Sequence, residues 1–336
     1  MKIFIKTFGC RVNQVESQHL AEKFLAANCE LLNSFESADV CLLNTCTVTS
    51  EADRDVEKLA RLIARRNPSA RLVITGCYAT MHRERMAKEI PTAELVANEN
   101  KKTVAALILG SCQPDNDWLI SGHLGHTRAF VKIQDGCSDG CRYCIVWKAR
   151  SVKYSKPLPS ACAEIAALIK TGYPEIVLTG INVGNYRCPE TGADLGGLLS
   201  EIFKIEGRFR IRLSSIEPKN ITPEFVAACA AGGEKFCEHF HIPLQAGTDS
   251  VLTDMGRRYT TAFYAERVEL IRAAFKTPGI YADVIAGYPT ETKVAFENGK
   301  EFIKSLKLAG LHPFRFSPRP GTPASELPCH PLPELK

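Results

Sequence analysis

No stretch of this 336-residue sequence approaches the roughly 18 consecutive apolar residues of a membrane-spanning helix. The opening MKIFIKTFGC also lacks the apolar core and small-residue cleavage site of an export signal. A soluble, cytoplasmic protein without a membrane partner is therefore expected. One-sided charge is missing as well: 42 Lys and Arg against 37 Asp and Glu leave a formal charge of +5. That balance permits an anionic partner such as RNA but excludes binding through bulk charge alone. Internal repeats and low-complexity tracts are absent. What the chain has in excess is cysteine, with 14 residues. In a reducing compartment these stay thiols, so the surplus points to burial, redox chemistry or metal ligation, which spacing can separate.

At 45% hydrophobic residues the chain can fill a sizeable core, and its length favours two domains. The first part alternates strands and helices: strands over 2–7, 39–44 and 71–75 and near residue 95, helices over 15–27, 51–66 and 104–109. After a Pro/Asp/Asn/Gly stretch the alternation restarts, with strands over 128–133, 175–179, 209–213, 236–242, 282–286 and 313–316 separated by helical segments. The expected fold class is α/β: an N-terminal parallel-sheet domain, then a partial (β/α)6 barrel lacking two repeats of the eight-stranded form. Expected boundaries are 1–115 for the first domain, 116–126 for a linker, 127–318 for the barrel and 319–336 for a proline-rich tail.

Cys137, Cys141 and Cys144 follow directly on the first barrel strand. Three thiolates within eight residues can wrap one face of a compact iron–sulfur cluster, leaving one iron without a protein ligand. Zinc ligation is the chemical alternative, and plain burial the bland one. Cys10, Cys46 and Cys77 are distant in sequence yet each ends a predicted parallel strand. If those strands are neighbours, the sulfurs meet at one sheet edge. Spacing alone leaves open whether they hold a second cluster or are ordinary buried cysteines. Cys41, inside its strand, reads as a core thiol.

With these motifs in view, the sequence resembles the radical S-adenosylmethionine methylthiotransferases. The likeness rests on Thr7-Phe-Gly-Cys-Arg-Val-Asn-Gln-Val-Glu-Ser17, Asn44-Thr-Cys-Thr-Val48, Thr75-Gly-Cys-Tyr-Ala79 and the 137–144 loop. It continues through Leu178-Thr-Gly-Ile-Asn182, Arg212-Leu-Ser-Ser-Ile-Glu-Pro218, His241-Ile-Pro-Leu-Gln-Ala-Gly-Thr-Asp249 and Asp283-Val-Ile-Ala-Gly-Tyr-Pro-Thr-Glu-Thr292. The resemblance implies two [4Fe-4S] clusters, one on Cys137, Cys141 and Cys144 and one on Cys10, Cys46 and Cys77. All six cysteines then count as catalytic as well as metal-binding, with S-adenosyl-L-methionine as the further cofactor. The Gly9–Ser17 block is most similar to the branch that converts N6-threonylcarbamoyladenosine beside the tRNA anticodon to its 2-methylthio derivative. Implied partners are a tRNA anticodon stem-loop, a flavodoxin-like or ferredoxin-like electron donor and a sulfur source. Other branches act on another tRNA adenosine or a ribosomal-protein aspartate, and a shortened, non-catalytic iron–sulfur protein is the reading from a different class. The family normally continues into a small all-β TRAM domain, which is expected to be missing here.

Beyond the cysteines, Asn182, Glu217, Gln245, Gly287 and Pro289 lie just past barrel strands and are the expected S-adenosylmethionine contacts. Asn182 doubles as a plain strand-exit residue, and Glu217 as a solvated loop carboxylate. Lys148, Arg150, Lys153, Lys156, Arg257 and Arg258 are candidates for RNA phosphates, with Tyr143 and Trp147 as possible base-stacking rings.

Overall fold

The computed structural model describes residues 1–110, 118–122 and 125–328. Residues 111–117, 123 and 124, which include the end of the expected first domain and part of the expected linker, and the end of the tail (329–336) lie outside the described residues. The chain divides into two compact units. The first holds residues 1–126 together with 136–138 and 145–153, and the second holds the rest, so the chain between the first two barrel strands belongs to both.

The first unit is a five-stranded parallel sheet in the order β2-β1-β3-β4-β5. Its strands are β1 (Lys2–Thr7), β2 (Glu30–Leu32), β3 (Val40–Thr45), β4 (Arg71–Gly76) and β5 (Glu94–Val96). β3 is buried along its whole length, as its uninterrupted Val-Cys-Leu-Leu run requires of a central strand covered on both faces. Helices α1 (Arg11–Ala26) and α2 (Ser50–Arg66) follow β1 and β3. Thr49 caps α2 by accepting the Ala52 N–H, and Arg65 and Arg66 complement the dipole at its far end. Val56, Ala60 and Ile63 form its buried stripe against Leu43, Leu72 and Ile74. The short helices α3 (Cys77–Met81) and α4 (Arg83–Glu89) and the strand β2 were not legible from periodicity, being only three to seven residues long. α5 (Val104–Leu109) and α6 (Val146–Ala149) complete this unit. Within the expected linker, Trp118 and Ile120 are buried, and Trp118 packs edge-on to His19.

In the second unit β6 (Ala129–Lys132), β9 (Glu175–Thr179) and β10 (Arg210–Leu213) form one parallel sheet. A short antiparallel pair, β7 (Gln134–Asp135) with β8 (Tyr154–Ser155), lies between β6 and β9 in sequence. β11 (His239–His241), β12 (Gly279–Ala286) and β13 (Gly310–Arg315) form another parallel sheet. The parallel bridge Ile211–Phe236 carries the succession from β10 to β11, giving the expected partial barrel of six parallel strands. Helices α7 (Leu158–Lys170), α8 (Leu195–Phe203), α9 (Pro223–Ala231), α10 (Asp249–Asp254), α11 (Thr261–Ala274) and α12 (Lys293–Ser305) make the crossovers. Thr222, Thr260 and Thr292 cap three of them through their side chains. The start of the proline-rich tail is not loose: Phe316, Arg319, Thr322 and Ala324 are buried, and Ala324 N–H donates to the Arg142 carbonyl.

Two glycines set the turns that leave β1 and β4. Gly9 and Gly76 have φ of 94° and 102°. A Cβ on Gly9 would lie 2.5 Å from Cys46 Cβ, and one on Gly76 would lie 2.3 Å from the Thr45 carbonyl oxygen. Both the backbone angle and the clearance therefore require glycine. Gly76→Ala is expected to destabilise the protein by about 3 kcal/mol in chemical denaturation, combining backbone strain with an overlap on backbone atoms.

Candidate iron–sulfur sites

In the first unit β1, β3 and β4 are adjacent and parallel, so their carboxyl ends meet at one edge. Cys10 is the N-cap of α1, Cys46 follows β3 and Cys77 opens α3. The three sulfurs influence one another: negative charge on Cys77 raises the thiols of both Cys10 and Cys46. Burial is the largest cause at Cys46, which is pushed up to about 12. At Cys10, surrounding protein atoms raise the thiol although the residue keeps an exposed face, and the Arg150 guanidinium pulls it back. Left as bare thiolates the group is unfavourable, and positive metal charge is what would relieve it. A single zinc, with each sulfur ~2.3 Å away, needs sulfurs ~3.8 Å apart.

Beneath these cysteines lies a buried polar network that sequence reasoning missed. Asn13 Nδ2 donates to the carbonyls of Phe8 and Thr45, each at 2.9 Å, tying the chain before Cys10 to that before Cys46. Asn44 Nδ2 donates to the Asn13 carbonyl and to Ser17 Oγ. Arg150 donates to Asn13 Oδ1 at 2.6 Å and grips both Glu16 oxygens at 2.9 and 3.0 Å. Lys101 Nζ meets the same carboxylate at 2.6 Å. The Glu16 and Lys101 side chains are 1% exposed and that of Arg150 is 2%. Two cations thus share one carboxylate in a dry interior. Desolvation lowers the Lys101 ammonium from its usual value, Arg150 adds to that, and Glu16 and Cys77 oppose it. Asn98 Nδ2 donates to Cys77 Sγ at 3.5 Å and to the Ala149 carbonyl.

In the second unit Cys141 is buried and Cys144 half-buried, its N–H closing a turn onto the Cys141 carbonyl. Cys137 is half-buried, and its N–H donates to the Arg150 carbonyl within the first unit. Arg257 Nη1 donates to Cys141 Sγ at 3.4 Å and to the Tyr143 hydroxyl at 3.5 Å. Its Nε reaches the Tyr259 hydroxyl at 3.0 Å, and its other terminal nitrogen pairs with Glu217. Tyr259 is itself fixed by donation to the Pro243 and Leu244 carbonyls. Burial raises the Glu217 carboxyl, and Arg257 opposes the shift.

The expected S-adenosylmethionine contacts fare differently. The Asn182 backbone N–H donates to Gln134 Oε1 and its side-chain amide donates to Asp139 at 3.3 Å, while its buried Oδ1 accepts no hydrogen bond among the described residues. Gln245 takes a φ of 72°, unusual for a non-glycine, and bridges to Val284. The Gly287 N–H donates to the Glu291 carboxylate at 2.7 Å, and Pro289 is buried in the same loop. An orphaned amide oxygen, a half-buried carboxylate and a guanidinium on a cysteine sulfur fit a cluster with an amino-acid-bearing ligand.

Three of the six basic residues expected at phosphates are committed elsewhere. Arg150, Lys156 and Arg257 are ion-paired with Glu16, Glu164 and Glu217, and all three side chains are almost fully buried. Arg150 lies 134 positions from its carboxylate, which local sequence cannot reveal. Lys153 and Arg258 are exposed and Lys148 is half-buried. Lys148 Nζ sits 5.1 Å from the Trp147 ring, whose own buried N–H has no acceptor among the described residues.

Residues 131–303 match the radical SAM superfamily and residues 2–98 an uncharacterized protein family, UPF0004. The threonylcarbamoyladenosine tRNA methylthiotransferase MtaB of Thermotoga maritima is 35% identical over 335 residues, covering 96% of this chain and 76% of that protein. The chain belongs to the radical S-adenosylmethionine methylthiotransferase family. Its Bacillus subtilis relative of the same description is 35% identical, with 96% of this chain and 74% of that protein covered. A tRNA-2-methylthio-N(6)-dimethylallyladenosine synthase of Thermodesulfovibrio yellowstonii is 31% identical, covering 99% of this chain and 80% of that protein. Among solved structures, the radical S-adenosylmethionine methyltransferase TsrM of Kitasatospora setae aligns with a TM-score of 0.71 at 14% identity, covering 96% of this chain and 77% of that one. That likeness supports the fold of this methylthiotransferase: a parallel-sheet domain followed by a partial barrel.

Proposed function

We propose that this methylthiotransferase converts N6-threonylcarbamoyladenosine in a tRNA anticodon stem-loop to its 2-methylthio derivative. The observation that carries the reading is 35% identity, sustained over nearly the whole chain, to enzymes described by that substrate. Cys137, Cys141 and Cys144 hold one [4Fe-4S] cluster, and Cys10, Cys46 and Cys77 hold another. The bound cofactors supply the electron that splits S-adenosylmethionine into methionine and a 5'-deoxyadenosyl radical, and the sulfur that is transferred.

The chain's own residues bind and orient. Asn182 Oδ1 is placed as acceptor for the amino group of S-adenosylmethionine, and Glu217, held by Arg257, offers a second acceptor. Gly287 and Pro289 keep the loop after β12 close-packed where the adenosyl group lies, and Gln245 holds its strained backbone against β12. Lys148, Lys153 and Arg258 meet tRNA phosphates. A flavodoxin-like or ferredoxin-like protein of the cytoplasm delivers the electron.

Anaerobically reconstituted protein, given S-adenosylmethionine, reductant and threonylcarbamoylated tRNA, is expected to yield the 2-methylthio nucleoside by mass spectrometry after digestion. Product from dimethylallyladenosine-bearing tRNA alone, or from neither tRNA, refutes the substrate assignment.

A further inference from the structure

The sheet β11-β12-β13 carries a second group of metal-binding side chains that uses no cysteine. In its parallel register His241 pairs with Tyr281, and Asp283 with His312. Residues two apart on a strand share a face, and so do register partners. His241, Tyr281, Asp283 and His312 therefore project from one side. His241 Nε2 lies 2.7 Å and His312 Nδ1 3.3 Å from the same oxygen, Asp283 Oδ1. One ligand atom from each of the three residues falls within 4.8 Å of the other two.

We propose that His241, Asp283 and His312 form a mononuclear site for a divalent first-row cation of the zinc class. Two imidazole nitrogens and a carboxylate oxygen are a donor set that such ions favour over calcium or magnesium. Zinc binds these ligands at about 2.0–2.2 Å, which separates donors on one ion by roughly 3–3.5 Å. The two spacings to Asp283, 2.7 and 3.3 Å, need adjustments of a few tenths of an ångström, and the two histidine nitrogens lie within 4.8 Å of each other. The Asp283 side chain is 19% exposed. Among the described residues no lysine or arginine pairs with it, and its ion-pairing partners are the two imidazoles. A largely buried carboxylate calls for compensating charge, which a metal ion supplies more fully than neutral rings.

The surroundings suit ligand duty. Ser215 Oγ lies 3.4 Å from His241 Nδ1, so the ring nitrogen facing away from Asp283 has the outer partner that fixes a ligating tautomer. Tyr281 stacks on the His312 ring with 6.1 Å between centroids, holding its orientation. His312 is half-exposed on the edge strand β13, which gives an ion a way in. Three protein ligands leave a coordination position for water or an oxygen of a bound molecule.

The test uses the full chain with its iron–sulfur clusters in place, equilibrated anaerobically with zinc, desalted, and analysed for zinc, iron and sulfide. About one zinc per chain in addition to the iron is expected. His312→Ala and Asp283→Asn should each weaken zinc binding at least tenfold by calorimetric titration, with iron and sulfide unchanged, while Cys10→Ala keeps the zinc. Because His312 is exposed on an edge strand, its variant decides the matter if Asp283→Asn loses iron through misfolding. Absence of zinc from the wild type, zinc lost with Cys10 instead, or undiminished binding in His312→Ala overturns the proposal.

Discussion

Cys141→Ala is expected to lower iron from about eight to about four per chain and to abolish formation of 5'-deoxyadenosine from S-adenosylmethionine. Two features make Cys141 the most sensitive position of its loop. It is the buried cysteine of the three, and its sulfur receives the Arg257 guanidinium, which also holds Glu217 and Tyr143. With that sulfur gone, the guanidinium loses one acceptor and a cluster would rest on two thiolates. Cys10→Ala, Cys46→Ala and Cys77→Ala combined should give a similar iron loss with a different outcome: cleavage of S-adenosylmethionine partly retained, and methylthio product absent. Colorimetric iron and sulfide, paramagnetic resonance after reduction, and chromatography of the nucleoside separate the two sets. Residual 5'-deoxyadenosine at more than a few per cent of wild type in Cys141→Ala contradicts the assignment.

The second large effect concerns stability. Glu16→Met is expected to cost about 3–5 kcal/mol, enough to unfold a substantial part of the protein, because it strips a shared carboxylate from two buried cations. Lys101→Met should be much milder. It leaves the two-oxygen grip of Arg150 on Glu16 intact, a neutral pair, and replaces an ammonium whose charged form is already disfavoured by burial. Urea denaturation of the two variants side by side gives the comparison, and equal losses would refute the charge-balance argument. Lys101→Met also removes a buried positive charge beneath the cysteines. A cluster held as proposed by Cys10, Cys46 and Cys77 is therefore expected to reduce at a lower potential, read in an anaerobic redox titration that a purely structural role would leave unmoved.

Much of the architecture was legible in the residues. The uninterrupted Val-Cys-Leu-Leu of β3 and the stripe of α2 have the periods of a covered strand and a half-buried helix, and both occur within one residue of where the pattern put them. Strand adjacency was the condition on which Cys10, Cys46 and Cys77 could meet, and β1, β3 and β4 are neighbours. The elements missed, β2, α3, α4, β7, α6, β8 and α10, are too short for periodicity to register. Charge was the harder matter. Arg150, Lys156 and Arg257 look like solvent-seeking side chains until folding brings a carboxylate to each. Those of Arg150 and Arg257 lie 134 and 40 positions away. The His241–Asp283–His312 group was hidden for the same reason, since three strands contribute one residue each.

The two cysteine sets also differ in when they can come into being. Cys137, Cys141 and Cys144 sit within a single short loop, so a nascent chain carries all three sulfurs as soon as that loop has emerged. Cys10, Cys46 and Cys77 meet only after two helical crossovers have closed and three strands have found their register. A slip of one residue in β3 would turn its alternate side chains to the opposite face and break the approach of Gly9 to Cys46. On the proposed assignment of the six cysteines, iron offered before that sheet is complete is expected to be held by the loop and not by the sheet edge, an order that iron analysis of a partly refolded sample would read.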